Sequence, residues 1–302
     1  MHNAFNTLKA VSLLIVLGIL WGSGYSLAKF AMVNGVPPLG YSFWQSLGPA
    51  LILILFCLSS YKKSLLNIHY WPYFLICGLM GIAIPNTNMY FIADKLPAGL
   101  LAVLVNTVPL LVYPLALLSN QEKPDIWRFV ALIIGMLGIL LIIGMPKTEI
   151  YSHWTLLALL SPLCFAICSI YIGAKRTSKL NILEAACGML IAASLLLTPL
   201  VMQQHAFYPL TPPFTLPKQV IILEIILSSI GYLLFFMLVR SAGPVFYSLT
   251  GGVVAFTGLF WGYLIFSEQP TLLQGIATLL IISAISLLSW RQSKHIEDIN
   301  LC

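Results

Sequence analysis

The side chains that could do chemistry in this chain are few, and each lies in an otherwise apolar stretch. "LGILWGSGYSLAKF" (17–30) carries Trp21, Tyr25 and, at its far end, Lys29. "IPNTNMYF" (84–91) carries Asn86, Asn88 and Tyr90, and "VNTVPLLVYP" (105–114) sets Asn106 ahead of Pro109 and Pro114. Glu224 precedes "SSIGYLLFF" (228–236) with Tyr232, and "GPVFYSLTGGVVAFTGLFW" (243–261) adds Tyr247, Thr250 and Trp261. Indoles, phenols and amides stack on a small molecule and hydrogen-bond to it. They do not pair a nucleophile with a base: there is no Ser/His/Asp arrangement, and His2, His69, His153, His205 and His295 fall in loops or at segment ends. There is no Walker-type glycine loop either, so ATP is not hydrolysed by this chain. The set suits recognition of a solute, not its conversion.

Helical geometry sharpens the first of these stretches. At about 100° per residue, Gly18, Trp21, Gly22, Tyr25, Ser26 and Lys29 share an arc of about 140°, with Leu17, Leu20, Leu27 and Phe30 outside it. Gly18, Gly22 and Ser26 form a small-xxx-small row that admits a neighbouring backbone. Lys29 is either an anchor snorkelling to the headgroups or part of a solute entrance. Glu224 is expected near the same outer boundary, as an ion-pair partner of Lys29 or solvated at the headgroups. Asn86 and Asn106 either line a site or bond one helix to another, an interaction worth about 0.6 kcal/mol in membranes. Pro85 and Pro109 loosen the helical ladder around them, which is tolerated where helices line a cavity. Trp21 and Trp261 lie deep enough to line a cavity or fill the core. Trp44, Trp71, Trp127, Trp154 and Trp290 stand at helix ends, where indoles favour the headgroup boundary.

The elements that must position these residues are membrane helices. Of 302 residues 60% are hydrophobic and 8% charged, against roughly a quarter charged in soluble domains. Ten apolar segments approach or reach the roughly 20 residues that span a bilayer: 9–31, 40–59, 70–92, 97–118, 127–145, 153–174, 181–201, 219–240, 244–266 and 270–290. Eleven of the fifteen Lys and Arg fall in loops on one side (Lys9, Lys62, Lys63, Lys123, Arg128, Lys175, Arg176, Lys179, Arg240, Arg291 and Lys294). Lys29, Lys95, Lys147 and Lys218 fall on the other. The positive-inside rule then puts both termini in the cytoplasm, and it accounts for the net charge of +6 without nucleic acid. Cys57, Cys77, Cys164, Cys168 and Cys187 lie within helices and Cys302 ends the chain; no His cluster joins them, so neither a disulfide framework nor a metal is expected. The loop 202–218, with four prolines, reads as a linker in preference to a lid, and Glu184 as an acid at a helix N-terminus.

A shift of 146 lays 117–143 on 263–289 without a gap, with Glu122 on Glu268, Pro124 on Pro270, Ala131 on Ala277 and Ile139 on Ile285. Five spans per half is odd, so the second half would enter the membrane inverted relative to the first. The expected fold is all-α integral membrane: ten transmembrane helices as two five-helix inverted repeats, 1–148 and 149–302. Such repeats commonly enclose a binding site at mid-membrane.

In order and spacing, "LWGSGYSLAKF", "GLMGIAIPNTNMYFIADKLPAGLLAVLVNTVPLL", "ALLSPLCFAICSIYIGAKR" and the two Glu-x-Pro junctions resemble the drug/metabolite transporter superfamily, EamA type. The resemblance covers the whole chain. It implies a non-enzymatic carrier in a bacterial inner membrane, exporting or exchanging small metabolites such as amino acids by alternating access. Its partners are a small-molecule substrate and the lipid bilayer, with no cofactor; pairing as a homodimer is left open. By position it implies a cavity lined by Trp21, Tyr25, Asn86, Tyr90, Asn106, Tyr232, Tyr247 and Trp261. The chain departs from the family where "VVAFTG" stands in place of a frequent mid-helix proline, so the bend is expected at Gly251–Gly252. A multidrug exporter of the same fold is the alternative, ahead of a lipid flippase or a membrane enzyme.

Overall fold

An apolar chain in hydrocarbon must satisfy its backbone internally. The computed structural model describes residues 2–58, 67–119, 122–143, 149–175, 180–248, 250–269 and 271–300, and every regular element among them is helical. The α-helices are α1 (His2–Val33), α2 (Pro38–Leu58), α3 (Trp71–Gly78), α4 (Ile84–Ile92), α5 (Ala98–Val105), α6 (Val108–Leu118) and α7 (Ile126–Ile143). They continue as α8 (Glu149–Ala158), α9 (Leu160–Ala174), α10 (Ile182–Gln203), α11 (Leu216–Ser248), α12 (Thr250–Phe266) and α13 (Leu272–Asn300). Among the described residues six stretches are long and apolar enough to cross a membrane: Ala10–Val33, Ile68–Ile92, Ala98–Leu118, His153–Ala174, Ile182–Gln203 and Leu216–Leu238. Ile126–Leu141, Thr250–Phe266 and Leu272–Leu288 are shorter apolar helices. Lys62, Lys63, Lys147, Arg176, Lys179, Pro270, Cys302 and the expected junction at 148 lie outside the described residues, as do the side chains of Lys9, Cys57, Arg240, Trp290, Arg291 and Lys294.

Three expected spans are interrupted. A π-helical turn, Leu79–Ala83, joins α3 to α4 immediately before Pro85. Asn106 and Thr107 leave helical geometry between α5 and α6, with Pro109 in the first turn of α6. Two carbonyls beside the break each gain a second donor: Asn106 Nδ2 reaches Ala102 O (2.8 Å), which also accepts from Asn106 N (3.1 Å), and Thr107 Oγ1 reaches Leu104 O (2.7 Å), which also accepts from Thr107 N (3.2 Å). The third break, at Leu159 between α8 and α9, faces α4, where Asn88 Nδ2 donates to Leu157 O and Ser161 Oγ, both at 2.9 Å. One expected boundary is wrong. The helix runs unbroken through 240–244 and its described residues extend to Ser248, so Tyr247 belongs to α11. Membrane helices absorb helix-weakening residues where neighbours satisfy the backbone. Gly251 and Gly252, where a bend is expected, lie within α12, and residue 249 is outside the described residues.

Among the helix pairs in contact are α1 with α12, α6 with α9, α1 with α11, α4 with α9, α2 with α11, α3 with α10, α2 with α10, α5 with α12 and α7 with α13. α7 and α13, which superimpose under the shift of 146, lie on one another: a Cβ at Gly138 would stand 2.8 Å from Ile281 and 2.9 Å from Ala277 O. The Pro-rich loop is bound to α2, where Trp44 Nε1 donates to Tyr208 O (2.7 Å) and both Phe43 and Trp44 meet the Phe207 ring. Trp44 thus holds a loop, a role its place near a helix end did not show. Glu184 closes a capping box with Asn181 at the start of α10, its carboxylate accepting from Asn181 N at 2.9 Å.

α1 and α12 touch through glycine. A Cβ at Gly18 would stand 2.5 Å from Val253 Cγ1, and one at Gly22 would collide with the Thr257 side chain. Thr257 Oγ1 also lies 2.9 Å from Gly18 O, its one proton divided between that carbonyl and Val253 O at 2.8 Å in its own helix. Gly22→Val should therefore cost roughly 1–3 kcal/mol through overpacking. Gly275→Ala, where a Cβ meets nothing within 4 Å, should be neutral or stabilising by up to about 1 kcal/mol. Thermal unfolding of both variants in detergent reads the difference.

Candidate substrate cavity

Two of the three interruptions, the π-turn and the α5–α6 break, border a cavity whose empty space, open mouth included, is about 910 Å³. Trp21 and Tyr25 enter from α1, one turn apart on the arc that also carries the glycines. Asn86 and Tyr90, again one turn apart, come from α4 just past the π-turn, and Asn106 from the α5–α6 break. α11 supplies Glu224, Ser228, Tyr232, Phe235 and Tyr247. α12 contributes Val254, and α9 and α10 add Phe165, Cys168 and Met189. Seven of the eight residues expected to line a site thus surround one space.

Their mutual contacts fix their rotamers. Trp21 meets Tyr232 and Tyr247 edge-on, with centroids 6.3 and 6.1 Å apart, and lies 5.9 Å from Phe235. Such aromatic pairs are worth about 0.5–1.5 kcal/mol each beyond burial. Asn86 Nδ2 donates to the Tyr232 hydroxyl at 3.2 Å, and Asn106 Nδ2 to the Tyr25 hydroxyl at 3.0 Å. Both amides therefore line the cavity and bond one helix to another at once. Gly251 admits the break opposite it: a Cβ there would lie 3.0 Å from Asn106 O.

Two expectations need correction. Trp261 is not among the cavity residues; it packs beside Phe260, ring centroids 5.5 Å apart. It shares a helix face with Val254, but seven residues at 1.5 Å put it about 10 Å further along the axis. Nor does Lys29 pair with Glu224. Lys29 Nζ contacts Glu268 Oε1 at 2.6 Å and donates to Leu96 O at 3.2 Å, with the Phe266 ring 5.1 Å below. Glu268 in turn accepts from the backbone N–H groups of Ala98 (2.8 Å) and Gly99 (3.1 Å), capping α5. Glu224 meets α1 at a different point, against Gly24, where a Cβ would be 3.0 Å from its Oε1. Gly24 and Lys29 are five residues apart, which turns them roughly 140° from each other around the helix.

Sequence reading missed the surroundings of Glu224. Gln45 on α2 is 1% exposed and its Oε1 accepts from Ser228 Oγ at 2.8 Å; Tyr41, fully buried, packs its ring 4.6 Å from that of Tyr90. A lone amide inside the apolar segment 40–59 was the available signal. The shift of 146 also holds further than the Glu-x-Pro junctions. It lays Ser23, Tyr25, Ala28 and Lys29 on Ser169, Tyr171, Ala174 and Lys175, and Asn86 on Tyr232.

The EamA-like transporter family matches the chain twice, over residues 8–144 and 152–290. A Bacillus subtilis (strain 168) protein named uncharacterized transporter YvbV is 26% identical over 235 residues, 77% of this chain and 76% of its own. Protein PecM of Dickeya dadantii (strain 3937) is 24% identical over 273 residues, covering 88% and 87%. A crystal structure titled only as that of a protein superimposes with a TM-score of 0.65 at 16% identity, over 93% of this chain and 97% of that one, a likeness of fold alone.

Lys29 and Glu268 are only 16% and 15% exposed. Lys29→Met removes the charge partner of a carboxylate and should cost roughly 1–3 kcal/mol. Lys218→Met, which breaks bonds to Thr211 O and Pro213 O on an exposed loop, should cost less than about 0.5 kcal/mol. Thermal unfolding of the two variants checks this.

Proposed function

The chain belongs to the EamA-like transporter family, and from that premise we propose that it is a secondary carrier of small amphipathic metabolites, amino acids among them, exporting or exchanging them by alternating access. As a member it is a multi-pass membrane transporter and not an enzyme. The observation that carries the finer reading is the cavity itself: aromatic walls with two placed amides, between halves that repeat one another. We take it to lie in a bacterial inner membrane with both termini cytoplasmic, as the Lys and Arg distribution favours.

The inverted-repeat reading rests on several agreeing observations. The family matches in tandem, and the sequence overlays itself at 146. Exchanging each helix for its counterpart also maps the packing pattern onto itself: the pair α1–α12 becomes α9–α6, α1–α11 becomes α9–α4, and α2–α11 becomes α10–α3. Asn86 and Tyr232, one repeat apart, touch each other, as residues on a two-fold axis must. The reading also gives alternation a mechanism. Lys29 and Glu268 form a closed pair beside the N-terminus of α5. Among the described residues no ion pair joins their counterparts, Lys175 and Glu122: Lys175 is exposed and Glu122 meets Arg128 at 3.0 Å. Opening the first pair while forming the second turns the cavity from one side of the membrane to the other.

Purified protein in liposomes should accelerate counterflow of at least one solute from a metabolite panel over empty liposomes; no acceleration by any of them would sink the carrier reading, and movement of drugs alone would assign a multidrug exporter. With a transported solute in hand, Trp21→Ala should weaken its half-saturation about tenfold, equal to about 1.4 kcal/mol. Trp261→Ala should leave it within about twofold.

A further inference from the structure

Resting on that reading, the geometry points to Glu224 as the binding site for a cationic ammonium group of the solute, so that we infer the carrier selects aromatic or aliphatic amines over carboxylates of the same shape. Four observations carry this. Among the described residues lining the cavity Glu224 is the one Asp, Glu, Lys, Arg or His, so no cation among them faces it there. The side chain is only 7% exposed. Its Oε2 is buried and accepts no hydrogen bond from any described residue. Ser228 Oγ stands 3.2 Å from Oε1, but also 2.8 Å from Gln45 Oε1, and one hydroxyl proton cannot serve both acceptors. Turning the Gln45 amide over directs its NH₂ to Ser228 and releases the hydroxyl for Oε1; in either arrangement Oε2 is left without a donor.

An ionised carboxylate removed from water is costly unless a cation meets it, and in a membrane such groups face a cavity or a partner. An ammonium brings the charge together with three donors, which is what Oε2 lacks. The wall opposite is suited to the same ligand. Trp21, Tyr90 and Tyr232 line the cavity alongside Glu224, and aromatic faces attract cations when both are shielded from water. Gly24 allows the carboxylate its position, since a Cβ there would crowd Oε1 at 3.0 Å. A free carboxylate on the solute finds no such welcome: the lining offers it amides and hydroxyls but no positive charge.

The test uses three probes of matched shape, 2-phenylethylamine, phenylalanine and 3-phenylpropanoate, on the purified full chain in nanodiscs, reading thermal stabilisation and equilibrium binding. The expected result is binding in the order amine, then zwitterion, then anion, with the amine at least tenfold tighter than the anion. In Glu224→Gln the amine should lose at least tenfold in affinity and the order should flatten. Equal or tighter binding of the anion by the wild-type chain overturns the assignment, and needs no variant. So does an amine affinity unchanged in Glu224→Gln, or failure of all three probes together with tetraethylammonium to bind. Stabilisation by sodium ion alone that vanishes in Glu224→Gln, with none from the amine, would assign the carboxylate to an inorganic cation and overturn it as well. Should Glu224→Gln not fold, Gly24→Ala reports on the same carboxylate and should weaken the amine more than the anion. Counterflow of an anionic metabolite would sink the ammonium assignment while leaving the carrier reading intact, so the two fail separately.

Discussion

Everything about the cavity follows from how closely α1 can lie on α12. Gly18 and Gly22 remove the side chains that would hold the two axes apart, and Val253 and Thr257 fill the space. In hydrocarbon such a contact has no hydrophobic driving force, so close fit must hold it, with Thr257 Oγ1 sharing its proton between Gly18 O and Val253 O. Once α1 is seated this way, its next residues along the same arc have no choice of surroundings. Trp21 turns into the aromatic group of α11 and Tyr25 reaches Asn106 at the α5–α6 break. The same helix ends at Lys29, which ties it to Glu268 and, through that carboxylate, to the start of α5. One helix thus carries close packing at one level, the cavity wall at the next and an ion pair at its end.

The breaks in the helices divide into two kinds. At the α5–α6 break Asn106 and Thr107 add side-chain donors to carbonyls of the preceding turn, and Asn106 also lines the cavity. At the α8–α9 break the added donor is Asn88, borrowed from α4, and no residue of the break is among those lining the cavity. Asn86 and Asn88 are two residues apart in one helix, yet the first lines the cavity and the second holds two helices together.

Much of this was legible because helical periodicity fixes which way a side chain points. The arc on α1, the pairing of Asn86 with Tyr90 one turn on, and the role of Glu184 as a cap all follow from angles alone. Depth and partners do not. Trp261 has the right face and the wrong height, an error of two turns that no angular argument detects. Lys29 finds Glu268, 239 residues away, because a helix end with free N–H groups already holds that carboxylate. Gln45 and Tyr41 were passed over since α2 shows little but apolar residues, and their importance comes only from facing Glu224. The boundary placed at 240–244 failed for a different reason: composition marks where a helix is weak, and packing decides whether it ends there.

Glu224 has a counterpart at position 78, since 224 − 146 = 78, and that residue is Gly78. No acid could replace it: a Cβ there would already stand 2.8 Å from both Ala193 N and Met189 O. Where Asn86 and Tyr232 face each other as unlike twins, Glu224 has no twin at all. The acid lining the cavity therefore belongs to one repeat alone. On the proposed carrier reading, a cargo held by that charge would be tied to the second half of the chain, and loading and release would be chemically different events on a nearly symmetric scaffold.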